Sequence, residues 1–359
     1  MTKKIKLTYV ISELRVGGAE RLLQDIIQRL DKDIYEVYLI VLGEKIKNDL
    51  FYSIKPNVKR IVFCNKKGKQ ILKTSFKLVK ILKEIKTDII HIHTSISHIV
   101  ALAVILNKIK FRFYTIHSMP EFDSPGFKKY FNRILFNFMK FRAIAISKTI
   151  EIESKNYFGN IDIVCIENGI DTSKFSGDDI SKRNSNNILH VGRFVDVKNQ
   201  EALIKSVKGI NESFNLTFVG NGETLDRNIN LVKDLNLTSK IKFLGYRKDI
   251  AEIMNQNSIF VLCSKIEGAP ISIVEAMANG MCIIANDVGG ISDFIIDNEN
   301  GILIKDFTEE KMRNTIRGLL NNREKVIDLA RAAKKSCTKY DIEQCVNKHD
   351  MLYKSIWKE

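Results

Sequence analysis

The chain has 359 residues, 45% of them hydrophobic, and a formal net charge of +15. That length supports two α/β domains with separate cores, and no apolar run reaches the roughly 18 residues that a bilayer-spanning helix needs. The charge is lopsided: residues 1–165 hold 30 Lys+Arg against 15 Asp+Glu, whereas residues 166–359 hold 27 of each. A basic half beside a neutral half calls for an anionic partner at the first: a membrane surface, a phosphorylated acceptor or nucleic acid. The six cysteines are scattered without a CxxC pair, which suits a reducing compartment. The start Met1-Thr-Lys-Lys runs straight into Ile5–Ile11 with no long apolar region or small-residue cleavage site, so a cytoplasmic chain is expected.

In the first half, β-branched runs at 5–12, 36–42, 88–93, 111–116 and 143–147 read as strands. Amphipathic helices are expected at 19–30 and 76–85. The segment Phe127–Arg142 reads as a basic helix with Phe127, Phe131, Ile134, Phe138 and Phe141 on one stripe, which is expected to face the core. Phe136 would then point among Lys128, Lys129, Arg133 and Lys140 and form the membrane-facing side. A second basic stretch comprises Lys66, Lys67, Lys69, Lys73, Lys77, Lys80, Lys83 and Lys86. The second half restarts the alternation. Strands are expected at 187–191, 216–219, 240–243, 258–263 and 281–285, with a helix at 199–210 and a helical tail at 341–358. Strands separated by helices imply parallel sheets built from βαβ units. The expected architecture is α/β, two doubly wound Rossmann-like domains facing across a cleft, with ligands at the strand C-termini. The turn-rich Glu167-Asn-Gly-Ile-Asp171 marks the boundary. This gives an N-terminal domain at 1–166, a C-terminal domain at 167–340 and a terminal helix at 341–359 that packs back on the first domain.

The strongest constellation follows the strand at 258–263. In Ser264-Lys-Ile-Glu267-Gly-Ala-Pro-Ile-Ser-Ile-Val-Glu275 a Gly-Ala-Pro turn opens a helix, with Pro270 near its first turn. Free backbone N–H groups there suit an anion, and each carboxylate can accept two hydrogen bonds from sugar hydroxyls. Gly192-Arg193 ends a strand and Lys198 follows on the same turn, two cations matched to a diphosphate.

With these residues the chain resembles the retaining glycosyltransferase family 4, of GT-B fold, which includes bacterial capsule, O-antigen and exopolysaccharide enzymes. The resemblance also rests on Gly17-Gly-Ala-Glu20, Thr115-Ile-His117, Glu167-Asn-Gly-Ile-Asp171, Val219-Gly-Asn-Gly222, Phe243-Leu-Gly245 and Val288-Gly-Gly-Ile291. It implies that Arg193 and Lys198 hold the donor diphosphate of a UDP- or GDP-sugar and that Glu275 binds the ribose. Glu267 would contact the transferred sugar, with the backbone of Gly268, Ala269, Pro270 and Ile271 nearby. Gly17 and Gly18 would let the first-domain loop approach phosphate and acceptor, and His117 would meet the sugar. Transfer with retention, no covalent enzyme residue, no cofactor and no metal are implied, with a saccharide or lipid-linked saccharide as acceptor. Asn199, where many relatives have glycine, and Asp293, where glutamate is common, depart from the pattern and bear on fine donor choice.

Other readings fit less well. His91 and His93 share a strand face, and His98 lies nearby, but no further ligands of matching geometry are evident for a metal. Asp31-Lys-Asp33 sits in a turn between a helix and a strand, not at a strand end. Gly17-Gly18 and Gly220-x-Gly222 lack a full dinucleotide fingerprint. A sugar-nucleotide epimerase on the same fold is the enzyme alternative, since a phosphorylase would need a pyridoxal site. A basic nucleic-acid-binding protein is the alternative of another class. The specific signals sit in the neutral half and suit a nucleotide sugar, so no nucleic-acid partner is expected. The basic half is expected to bring the protein peripherally to the anionic inner face of a cell membrane.

Overall fold

A computed structural model describes residues 3–15, 17–45, 49–66, 68 and 70–357, with Asp49 described by its backbone only. The chain folds as two compact units. Unit 1 comprises residues 1–169 and 342–359, and unit 2 comprises residues 170–341. The division therefore falls at Gly169–Ile170 rather than at 166–167, and the terminal helix Ile342–Trp357 belongs to unit 1.

Unit 1 is built on seven parallel strands: β1 (Ile5–Ile11), β2 (Tyr35–Val41), β3 (Arg60–Phe63), β4 (Ile89–His93), β5 (Phe111–Ile116), β6 (Arg142–Ala145) and β7 (Ile163–Cys165), in the order β3-β2-β1-β4-β5-β6-β7. Strands β1 and β4 are buried almost throughout, as a parallel sheet covered on both faces requires. The helix Gly18–Arg29 covers one face with Leu22, Leu23, Ile26 and Ile27, a one-sided stripe of the kind that docks on a sheet. Ile342, Cys345, Val346 and Tyr353 of the terminal helix complete the same core. Each fully buried aliphatic side chain of this kind contributes about 1.5–3 kcal/mol.

Unit 2 carries six parallel strands: β8 (Asn187–Val191), β9 (Asn215–Val219), β10 (Ile241–Phe243), β11 (Ile259–Leu262), β12 (Cys282–Asn286) and β13 (Ile302–Ile304), in the order β10-β9-β8-β11-β12-β13. Separate apolar clusters fill its two faces. The strand order reverses between β1 and β4 in unit 1 and between β8 and β11 in unit 2. Connections leave a doubly wound sheet in opposite directions at such a point, opening a crevice beyond the strand C-termini.

The helix Phe127–Asn137 is oriented opposite to expectation. Phe136, Leu135 and Asn132 are buried, with Phe136 edge-on to Tyr114 at 5.8 Å and to Phe158 at 5.2 Å. Phe127, Tyr130, Ile134 and Phe138 are exposed, Phe138 by 81%. Of the anticipated core stripe only Phe141 is fully buried, in the turn beyond the helix, while Phe131 is half-buried. The 132, 135, 136 triplet is the alternative helical stripe, and it wins because large rings on β5 and the following helix offer it partners. Lys73, Lys77, Lys80, Lys83 and Lys86 line the exposed side of the helix Ile71–Ile85 and its end; Lys67 and Lys69 lie outside the described residues. Among the described residues no helix is long and apolar enough to cross a membrane.

Candidate active site

In unit 2 the loops leaving β8, β9, β11 and β12 are tied to one another. Gly192 N–H donates to Val219 O (3.0 Å) and Phe194 N–H to Asn221 O (3.0 Å). Gly220 sits at φ +142°, and a Cβ there would lie 1.9 Å from Gly192 O, so the two turns meet this closely only because position 220 is glycine. Lys265 N–H donates to Val197 O (2.8 Å), joining the β8 and β11 loops. Asn286, at the end of β12, donates through Nδ2 to the carbonyls of Cys263 (3.0 Å) and Ser264 (3.1 Å).

On this frame Lys198 Nζ donates to Glu267 Oε1 at 2.5 Å, and Ser264 Oγ donates to the same oxygen at 2.6 Å. Glu267 is buried, so its charge is compensated by the ammonium and the hydroxyl rather than by water. Two residues expected to act on different parts of a ligand are thus one ion pair. The backbone of Glu267 is pinned from the other side: Gly290 N–H donates to its carbonyl (3.1 Å), and Gly289, at φ +56°, places its own Cα where a Cβ would lie 1.9 Å from that oxygen. That contact requires the first glycine of Val288-Gly-Gly-Ile291.

Arg193 stands on the same β8 loop, exposed, with no ion-pair partner among the described residues. Its carbonyl accepts from Gln200 Nε2 (2.7 Å), and Gln200 also contacts His190 Nε2 (3.4 Å). His190 is fully buried, with Nδ1 on Val261 O (2.9 Å), and burial pushes its pKa down to about 4, so a neutral ring links β8, β11 and the arginine loop. Asn199 adopts the left-handed conformation (φ 56°, ψ 34°) and caps the helix Gln200–Val207. Asparagine is among the few non-glycine residues that take this conformation readily, so the departure from glycine leaves the backbone path intact. Pro270 is the N-cap, extended at φ −71° and ψ 105°, and the helix runs Ile271–Asn279, so the proline stands just before the first turn rather than in it. Gly268 and Ala269 are half-buried in the turn, and Glu275 is buried inside the helix.

In unit 1, Gly17 caps the helix Gly18–Arg29 in an extended conformation at the end of the β1 loop. A Cβ at Gly17 would meet only the flexible carboxylate of Glu20. Beyond β4 and β5 lies a cluster of rings. His91 uses both nitrogens on hydroxyls, Nδ1 with Tyr353 (2.6 Å) and Nε2 with Thr115 (2.7 Å), which leaves neither for a metal. His93 Nδ1 lies 2.9 Å from His117 Nε2. Burial pushes these rings and that of His349 toward the neutral form, reinforced at His91, His93 and His117 by neighbouring imidazoles. His117 and His349 fall to about 4, and His91 and His93 lie well below their ordinary value. The His117 loop is anchored by Asp123, whose carboxylate accepts from Tyr114 Oη (2.5 Å), Ser124 Oγ (2.9 Å) and the His117 backbone N–H. Burial raises Asp123 to about 6.

Family models agree with this arrangement. "Glycosyltransferase Family 4" matches residues 16–174 and "Glycosyl transferases group 1" matches residues 173–336. The chain belongs to glycosyltransferase family 4. A glycosyltransferase of Haemophilus influenzae is 27% identical over 346 residues, covering 92% of this chain and 94% of its own. The Escherichia coli UDP-Gal:α-D-GlcNAc-diphosphoundecaprenol α-1,3-galactosyltransferase is 27% identical over 334 residues, 84% of each chain. The structure of Anabaena HepE in complex with UDP-glucose superimposes with a TM-score of 0.84 at 22% identity, covering 98% of this chain and 100% of that one. The fold of this glycosyltransferase is therefore GT-B, two Rossmann-like domains.

The sequence had singled out Lys198 and Glu267 without joining them, and had weighed His93 only as a metal ligand. Ser264 and Asn286 carried no assigned role. Ser264 lies within the strongest motif, and its spacing from Glu267 was the available signal. Nothing short of the β11–β12 pairing could have pointed to Asn286.

Proposed function

We propose that this glycosyltransferase moves a sugar from a UDP- or GDP-sugar to a lipid-linked saccharide, with retention, in the making of a surface polysaccharide or glycolipid. The observation that carries the reading is the convergence of Lys198, Ser264 and Glu267 at the β8/β11 switch point, with Arg193 on the same β8 loop and the helix start at Ile271 following Glu267. Arg193 and Lys198 would take the diphosphate, neutralising the charge that builds on it as the glycosidic bond breaks. The first-turn N–H groups of the helix Ile271–Asn279 add partial positive charge toward the same anion. Glu275 would bind the ribose hydroxyls. Glu267, held in one position by Ser264 and Lys198, would orient the transferred sugar with the backbone of Gly268 to Ile271. His117, Gly17 and Gly18 of unit 1 would serve the sugar and the acceptor. No side chain is assigned as a covalent nucleophile; the rate comes from positioning and charge stabilisation. Two fixed cations do the electrostatic work that a divalent ion performs elsewhere, so no metal and no cofactor is called for.

The acceptor and location follow from the relatives and the charge. The E. coli relative acts on a diphosphoundecaprenol acceptor, and a Staphylococcus aureus relative is a capsular polysaccharide biosynthesis glycosyltransferase. The excess positive charge lies in the N-terminal half, and the helix Phe127–Asn137 displays Phe127, Tyr130 and Ile134 beside Arg133, with Phe138 and Lys140 just beyond its end. We read this side of unit 1 as lying on the anionic inner face of the cell membrane, where a lipid-linked acceptor is presented.

The test is a panel of nucleotide sugars scored by thermal shift with a chelator present, since a true ligand raises the melting temperature by mass action. One UDP- or GDP-sugar is expected to stabilise the wild type, and Glu275→Ala is expected to lose that shift. A shift that survives in Glu275→Ala overturns the ribose assignment, and a shift that requires a divalent ion overturns the metal-free reading.

A further inference from the structure

His93 stands out because one of its nitrogens pairs with His117 while the other has no partner among the described residues. It is fully buried at the end of β4, its Nδ1 is 2.9 Å from His117 Nε2, and its Nε2 meets no hydrogen-bonding atom among the described residues. Two neutral imidazoles sharing one hydrogen bond have two possible proton arrangements, and the orphaned nitrogen separates them. If His117 Nε2–H donated, His93 Nδ1 would be the acceptor, and the single proton of His93 would sit on Nε2 as a buried N–H with nothing to receive it. If His93 Nδ1–H donates, the atom left alone is a bare lone pair. Orphaned buried N–H groups are the rarer and costlier defect. A doubly protonated His93 does not resolve the choice, because burial beside His91, His117 and His349 holds that ring neutral.

We infer that His93 is a positioning residue that fixes the tautomer of His117: His93 Nδ1–H donates to His117 Nε2, so His117 carries its own proton on Nδ1. That nitrogen has no hydrogen-bond partner among the described residues. The ring is held at Nε2 by His93. His117 therefore presents a fixed N–H donor to an oxygen of its ligand. It has no lone pair free on that side and cannot act there as a base. The tautomer assignment stands on unit 1 alone. Its kinetic consequence rests on the proposed placement of His117 at the transferred sugar.

The experiment is 15N NMR on protein labelled only at histidine. The chain has six histidines, and the His117 signals are assigned by their loss in His117→Asn. In the wild type, His117 is expected to show a protonated Nδ1 and a bare Nε2. His93→Phe removes the donor while keeping a ring in the space, and the two His117 tautomers are then expected to interconvert. His93→Asn restores an N–H close to the original Nδ1 and should return the single Nδ1–H form. If His117 touches the sugar, kcat falls about tenfold in His93→Phe with KM for the nucleotide sugar little changed, and His93→Asn recovers most of it. A wild-type His117 protonated on Nε2, or a tautomer unaltered in His93→Phe, overturns the inference. A tautomer that follows His93 while transfer is unaffected upholds it and instead sinks the placement of His117 at the sugar.

Discussion

At the scale of single residues, the candidate site of unit 2 depends on backbone that only glycine permits. Gly289 holds φ +56° with its Cα pressed against the Glu267 carbonyl. A left-handed conformation costs an L-residue about 1–2 kcal/mol, and the added methyl would have to displace main chain rather than a mobile side chain. Gly289→Ala is therefore expected to lower the melting temperature by several degrees. It should also cut sugar transfer far more than its stability loss explains, because the segment that must move carries Glu267. Thermal denaturation and initial rates at a temperature where both proteins are folded check this. A variant with wild-type rates would show that Glu267 tolerates displacement. The Lys198–Glu267 pair behaves differently: its two members compensate each other at the rim of the site, so removing either strands the other.

Among the elements, the helix Phe127–Asn137 has the least settled environment. Its inward triplet Asn132, Leu135 and Phe136 is satisfied, while Phe127, Tyr130, Ile134 and nearby Phe138 face outward. Soluble surfaces seldom cluster exposed aromatics, and those beside cations suit the boundary between lipid headgroups and acyl chains. Phe138→Asp is expected to leave the fold intact, because the ring is 81% exposed, and to weaken flotation with vesicles containing anionic lipid. Equal flotation of the two proteins, or no preference for anionic over neutral vesicles, removes the membrane reading. This helix also shows where reading the sequence stopped. Phe127, Phe131, Ile134 and Phe138 make as good a periodic stripe as Asn132, Leu135 and Phe136, and periodicity cannot tell which one finds Tyr114 and Phe158. The strands were easier. Central strands such as β1 and β8 are rich in apolar and β-branched residues, and the sequence places them within a residue or so. The short edge strands β3, β7 and β13 were missed because three or four residues carry too little pattern. Motif order made the family legible, but the ion pair of Lys198 with Glu267 and the ring contacts of His93 are long-range and have no local signature.

For the whole molecule, acid is the expected weakness. His91, His93, His190 and His349 are buried and His117 is half-buried, all as neutral rings with pKa values depressed in the fold. The unfolded chain takes up protons at about pH 6.5, whereas in the fold His117, His190 and His349 resist until about pH 4 and His91 and His93 are held well below their ordinary value, so stability is full above pH 6.5 and drains away as the pH falls below it. Asp123 opposes this: its pKa is raised to about 6, so the native state binds the extra proton in the lower part of the same window. One carboxyl does not offset five imidazoles. The melting temperature is expected to be flat from pH 7 to 8 and to fall steadily below pH 6.5. A flat profile down to pH 4.5 would mean that the rings are hydrated or paired.

The terminal helix Ile342–Trp357 belongs to unit 1, whereas everything between residues 170 and 341 belongs to unit 2. During translation, unit 2 therefore leaves the ribosome with all of its sequence in hand. Unit 1, begun first, must wait with a gap where Ile342, Val346 and Tyr353 will lodge. A nascent chain halted near residue 341 would hold a finished unit 2 tethered to a half-built unit 1, and that unfinished unit is where chaperones would be engaged.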